Sequence, residues 1–159
     1  MTHMLDDFFM VSPTVSQCQN DLLKFMDMCS DINVPMAPEK TIGPATVINF
    51  MGYEMDSILS EVHLPQDKLD KRTEAISSLL EGSKTILLKL QSVTGLLTFA
   101  CAVVVPGRAF LRCLTDLTVG VRKPHYHIRI TGEVKQDLHV WLNFLSTCLL
   151  YTSDAADES

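Results

Sequence analysis

The chain has 159 residues, 47% of them apolar and 20% charged. That suits one packed domain or a piece of a larger one, and it excludes bulk disorder. No apolar stretch approaches the roughly 20 residues of a membrane-spanning helix, and no basic segment precedes an apolar one as in a secretory signal. The net charge of −6 is uneven: residues 1–83 carry five Lys/Arg against thirteen Asp/Glu, and residues 84–147 carry eight against three. A basic half that neutralises phosphate beside an acidic half that holds cations suits an enzyme of polyanions, although ordinary surface variation gives the same totals.

In chain order, HMLDDFFMV over 3–11 reads as a strand ended by Ser12-Pro13. Asp6 and Asp7 interrupt it, either as a solvated turn or as two metal-ligating carboxylates at a hairpin tip. A helix is expected from Val15, with Ser16 as N-cap and Leu22, Leu23, Phe25, Met26 and Cys29 as its apolar stripe. INVPMAPEKTIGP is loop. ATVINFMGYEM and ILSEVHL form a hairpin around Asp56-Ser57. Pro65 opens a helix at its first position, lined by Leu69, Thr73, Ile76, Leu79 and Leu80 and stopped by Gly82. A second helix is expected from Thr85, with Leu87, Leu90, Val93, Leu97, Cys101 and Val104 on one face and an end at Pro106-Gly107. A short helix with Phe110, Leu111 and Leu114 follows. KPHYHIRITGEV reads as strand or extended linker, and a last helix puts Val134, Leu138, Trp141 and Leu145 on one side. The order is α+β with segregated parts. Five scattered cysteines fit reduced thiols of an intracellular protein, in cytoplasm or nucleus, with no zinc spacing.

The segments HMLDDFF, PEKT, FMGYEMD, LPQDKL and LQSVTGLLTFACAVVVPGRAFLRCL, in this order, resemble the palm and thumb of a retroelement reverse transcriptase. The PGR-x-FLR and DLT-x-G wording is most similar to the DIRS-type tyrosine-recombinase retrotransposons. The resemblance covers about His3 to Ser146. It implies a partial palm over 1–64, with antiparallel strands, a helix and a primer-grip hairpin. A helical thumb over 65–120 and a connection over 121–147 toward an RNase H domain follow. MLDD stands where the family has Y-x-D-D; Met4 replaces the usual Tyr and brings no hydroxyl.

The family is an RNA-directed DNA polymerase. Two Mg²⁺ or Mn²⁺ ions, about 3.5–4 Å apart, activate the primer 3′-hydroxyl and stabilise the leaving pyrophosphate. The resemblance assigns Asp6 and Asp7 as metal ligands, Asp6 the more direct. It assigns Lys40 as proton donor to pyrophosphate, and Phe50, Met51, Gly52 and Tyr53 as primer grip. Lys84, Lys89, Gln91, Gly95, Arg108 and Arg112 are assigned to the template–primer duplex. An exposed loop lysine and a plain hairpin are the bland readings of Lys40 and of 50–53. For Lys84, Lys89, Arg112, Arg122 and Lys123, solvated surface charge competes with phosphate contact. His125, Tyr126 and His127 are expected to be plain surface.

The implied partners are an RNA/DNA template–primer and dNTPs, with no membrane. The family's third carboxylate comes from a motif upstream of Met1, and the first strand of the catalytic hairpin is expected to be missing with it. The chain alone is therefore expected not to polymerise. A non-catalytic nucleic-acid-binding remnant, or a domesticated element-derived protein, is the alternative. CLLYTSDAADE resembles a translated sequencing adapter, so 148–159 is expected to be an unstructured tail.

Overall fold

A computed structural model describes residues 2–4 and 7–154, with side chains over 7–147. The fold is α+β and divides into two compact units, Met1–Val62 and His63–Ser159. Residues 121–147 lie in the same unit as residues 65–120.

In the first unit, β1 (Thr2–Met4) pairs antiparallel with β2 (Asp7–Phe9), Met4 opposite Asp7. The expected single strand over 3–11 is thus a hairpin, and the strand thought missing is present as Thr2–Met4. The chain reverses between Met4 and Asp7. Helix α1 (Val15–Asp31) follows. Thr14, not Ser16, caps it: the Gln17 N–H donates to Thr14 Oγ1 at 3.2 Å. Ser16 already lies inside the first turn. Of the expected stripe only Phe25 and Cys29 are buried, and Leu23 is half exposed. Strands β3 (Val47–Phe50) and β4 (Tyr53–Asp56) form a tight hairpin, and β5 (Glu61–His63) completes a three-stranded sheet in the order β3-β4-β5. Asp56 Oδ1 accepts the backbone N–H groups of Ile58 and Leu59 at 2.7 and 3.0 Å. That Asx-type turn reverses the chain between β4 and β5.

The second unit is built on helices. In α2 (Gln66–Leu80), Pro65 is the cap residue rather than the first helical one. Leu69, Arg72, Ile76 and Leu79 form its buried face, Arg72 taking the place expected of Thr73. Arg72 can be buried because its Nε donates to the Leu96 carbonyl at 3.0 Å and its Nη1 to the Lys68 carbonyl at 2.7 Å. Its guanidinium also lies over the Phe99 ring, 5.2 Å from the centroid. Thr85 and Ile86, expected to begin a helix, belong to strand β6 (Lys84–Ile86), paired antiparallel with β7 (His127–Arg129). Helix α3 (Leu87–Ala100) starts directly after it. All six stripe residues from Leu87 to Val104 are buried. The helix itself ends at Ala100 rather than at Pro106, in keeping with the poor helix propensity of the following Val103-Val104-Val105.

A 3₁₀ segment, Val105–Leu111, and the short α4 (Arg112–Asp116) follow. Helix α5 (Gly132–Asp154) buries Val134, Leu138, Trp141 and Leu145 completely. It is joined to α2 by Lys135 Nζ, which donates to the Leu80 carbonyl at 3.0 Å, one of the carbonyls left over at a helix C-terminus. The α5 backbone runs through Asp154, which corrects the expectation of an unstructured tail over 148–154.

Candidate functional site

Asp6 lies outside the described residues, as does the side chain of Met4. Asp7 opens β2 and is exposed. Successive residues of a strand alternate in direction, so Asp7 and Phe9 leave β2 on the same side. The Phe9 ring stacks on Phe50, centroids 4.9 Å apart and planes at 29°. The side of β2 that carries Asp7 is therefore the side turned to the β3–β4 hairpin.

At the tip of that hairpin Phe50 and Tyr53 are opposite each other, leaving Met51 and Gly52 as a two-residue turn. Both have positive φ, +53° and +80°. A turn with two left-handed residues matches the right-handed twist of the strands it joins. Gly52 adopts it freely. Met51 does so at a cost of roughly 1 kcal/mol or more, and its side chain is 45% exposed at the tip. Lys40 ends a 3₁₀ turn, Pro38–Lys40, and is exposed.

Among the described residues, no three His, Cys, Asp or Glu side chains converge to hold a metal ion. Asp7 offers a hard oxygen donor of the kind Mg²⁺ takes, but one carboxylate does not compose a site. The described donors alone do not fit a two-metal centre.

In the second unit, Gln91 and Gly95 stand one turn apart on the exposed side of α3. A Cβ built on Gly95 would meet nothing within 4 Å. Leu88, Ser92 and Thr98 share this exposure, so this side of α3 is uncharged and, at Gly95, free of side-chain bulk. Such a face allows close approach of another backbone. Lys89 turns away from it, its Nζ donating to Ser78 Oγ on α2. Arg112 lies 3.8 Å from Asp116 and both are exposed, a weak surface pair.

Arg108 is placed by its neighbour. Gly107 is buried, and a Cβ there would fall 2.4 Å from the Trp141 ring. The PGR loop thus sits flat on α5, further fixed by the Trp141 Nε1–H bond to the Phe110 carbonyl at 3.3 Å, and Arg108 is exposed. Burial pushes the Cys101 thiol above the ordinary range, and the positive charge of Arg108 partly opposes that. On α4 the Cys113 thiol is also held up, first by its hydrogen bond to Asp137 of α5.

Lys84 is exposed in β6, directly opposite Arg129 of β7. No local pattern marks Arg129 as its neighbour; only pairing across the fold does.

No family model matches this chain, and no curated protein matches it. Two solved structures do. One is a foamy viral protease-reverse transcriptase (dRH) in complex with double-stranded DNA: TM-score 0.59 and 20% identity, covering 87% of this chain and 22% of that one. The other is a foamy viral protease-reverse transcriptase in complex with an RNA/DNA hybrid: TM-score 0.56 and 18% identity, covering 87% and 17%. The chain spans about a fifth of these solved chains, and its fold is reverse-transcriptase-like.

Proposed function

We propose that this chain is the part of a retrotransposon reverse transcriptase, of the DIRS type, that grips the primer terminus and follows the template–primer duplex. The observation that carries this reading is the Phe9–Phe50 stack. It sets the Asp7 side of β2 toward the strained Met51-Gly52 turn, within a reverse-transcriptase-like fold. The segment 1–64 acts as partial palm, 65–120 as thumb and 121–147 as connection.

Asp6 and Asp7 serve as carboxylate ligands, and the Mg²⁺ or Mn²⁺ ions they help to hold supply charge neutralisation at the α-phosphate when bound. Phe50, Met51, Gly52 and Tyr53 hold the primer backbone, the exposed Met51 side chain making the contact that offsets its strained conformation. Lys40 meets the pyrophosphate of the dNTP. Gln91 and Gly95 face the minor groove of the duplex, where Gly95 lets the helix backbone come close to sugar edges. Lys84, Lys89, Arg108 and Arg112 neutralise phosphates. The protein works in the cytoplasm or nucleus, and no helix among the described residues is long and apolar enough to cross a membrane.

On this reading the 159-residue chain by itself does not extend a primer: among the described residues no group of three metal-ligating side chains completes a site around Asp7. The same observation favours a second reading, a non-catalytic nucleic-acid-binding remnant or a domesticated protein. A genomic locus with an open upstream frame bearing an aspartate strand, and RNase H and recombinase downstream, supports the polymerase. Stop codons on both sides of this frame favour the remnant.

The direct test is binding of an RNA/DNA hybrid by fluorescence anisotropy. Gly95→Glu places a charge on the open face with room for its Cβ, so folding is unaffected. It weakens hybrid binding about tenfold, equivalent to about 1.4 kcal/mol. Unchanged affinity would remove α3 from the interface.

A further inference from the structure

We propose that the exposed face of the β6–β7 ribbon, with the turn Lys123–Tyr126, is a second nucleic-acid surface that takes a single-stranded segment. It rests on the reading above in that the ligand is nucleic acid, and it shares Lys84 with that reading; the other residues and the strand type are different.

The pairing places Lys84 opposite Arg129, Thr85 opposite Ile128 and Ile86 opposite His127. Residues opposite one another project from the same face, with Cβ atoms about 5 Å apart. Thr85 and Ile128 are buried, so Lys84, Arg129 and His127 share the open face. Two permanent positive charges thus stand directly opposite one another, an arrangement that destabilises a strand pair. Between Gly82 and Gly132 the one acidic residue is Asp116, and it lies beside Arg112 on α4. The acidic residues nearest to Lys84 and Arg129 in the sequence outside this window are Glu81 and Glu133, and neither forms a salt bridge with them. Among the described residues, the side chains of Lys84, Arg122, Lys123 and Arg129 make no hydrogen bond or ion pair. A phosphate between Lys84 and Arg129 would turn the repulsion into two attractions, as Lys and Arg do at nucleic-acid backbones.

The strip continues past the ribbon. The Tyr126 N–H donates to the Lys123 carbonyl at 3.0 Å, closing a turn over Pro124 and His125. The Leu87 and Leu88 N–H groups donate to the Tyr126 and Pro124 carbonyls, each at 3.0 Å. The turn is therefore anchored at the start of α3 and not free to swing away. Arg122, Lys123, His125 and Tyr126 are exposed, Tyr126 at 60%. An exposed ring beside a row of cations is the combination that binds unpaired strands, with phosphates on the cations and a base on the aromatic face. A duplex keeps its bases stacked on one another and leaves the ring unused. This ring selects the single strand.

The test compares a labelled single-stranded oligonucleotide of about twelve residues, within the usual span of such surfaces, with an RNA/DNA hybrid of equal length. The full chain is used throughout. The double variant Lys84→Thr, Arg129→Thr binds the single strand at least tenfold more weakly, and its log–log salt slope falls by about 1.4, the share of two phosphate contacts. Its thermal midpoint stays level or rises, because a like-charge pair has been removed. Tyr126→Ala weakens single-strand binding about tenfold and leaves the salt slope unchanged.

Unaltered affinity or slope in the double variant overturns the proposal, as does a wild-type chain that does not bind the single strand. It is also overturned if the double variant loses binding to heparin equally while Tyr126→Ala loses nothing, since the strip is then a general polyanion patch. If Gly95→Glu leaves hybrid binding intact while the ribbon variant still loses the single strand, the α3 assignment fails and the ribbon stands.

Discussion

At the scale of single residues, two positions show what the fold demands. Gly107 is the residue on which Trp141 rests, and the ring is fully buried. A methyl group at Gly107 overlaps it, and a rigid indole in a packed core cannot move aside cheaply. Gly107→Ala is expected to destabilise by about 1–3 kcal/mol, read as a lower thermal midpoint. Met51 shows the reverse. Its φ of +53° suits Asn, so Met51→Asn is expected to stabilise the chain by about 0.5–1 kcal/mol. If Met51 touches the primer, hybrid binding weakens as the melting temperature rises; a variant that gains stability and keeps its affinity speaks against the primer-grip assignment. The thiols give a pH dependence. Cys101, by burial, and Cys113, by its bond to Asp137, hold their protons more tightly folded than unfolded. Their contribution is complete below the unfolded thiol pKa and is lost as pH rises through the raised folded values. Stability thus falls on the alkaline side. Asp137→Asn should lower the Cys113 pKa and speed its alkylation by iodoacetamide near pH 8. An unchanged rate argues against that hydrogen bond.

At the scale of elements, what was legible in the sequence is what repeats along it. The stripes of α3 and α5 are visible because every third or fourth residue is apolar over several turns, and all ten of the residues they name are buried. The three-residue strands are too short for any period to register. Strand β6 looks like the start of α3 because its partner β7 lies more than forty positions on. Arg72 reads as a surface residue, since nothing local announces that the Leu96 carbonyl awaits its Nε. The candidate site divides the same way. Asp7, Met51 and Gly52 stand out in the sequence by the resemblance of short motifs, whereas Arg129 draws attention only once Lys84 faces it. Caps follow local chemistry but shift by a residue or two, as Thr14 and Ser16 show. Thr14→Ala removes the acceptor for the Gln17 N–H and is expected to cost about 1 kcal/mol in the stability of α1. Lys135→Met strips the Leu80 carbonyl of its charged donor and is expected to cost about 1.5–3 kcal/mol. Thermal melts of the two variants check both values.

At the scale of the whole molecule, apolar burial is shared very unequally. Of the twenty buried apolar side chains among the described residues, Phe25 and Cys29 belong to Met1–Val62 and the other eighteen to His63–Ser159. The first unit instead exposes Val11, Val15, Ile42 and Ile58, each by more than 60%. The first unit has only these two among its described residues, whereas the second has a continuous core through α2, α3 and α5. Opening free energy should therefore differ between them, because local stability follows local burial. In hydrogen exchange of the intact chain, amides of α2, α3 and the part of α5 around Trp141 are expected to be the slowest, and those of α1 and of the β3–β4 hairpin faster by orders of magnitude. A bound RNA/DNA hybrid that engages Met51 and Gly52 should slow the hairpin amides, since a ligand adds its binding free energy to the state it selects. Equal protection of both units without nucleic acid would show that the strands of the first unit are held by something other than their own core. Hairpin amides that stay fast when the hybrid is bound would remove the grip from the primer.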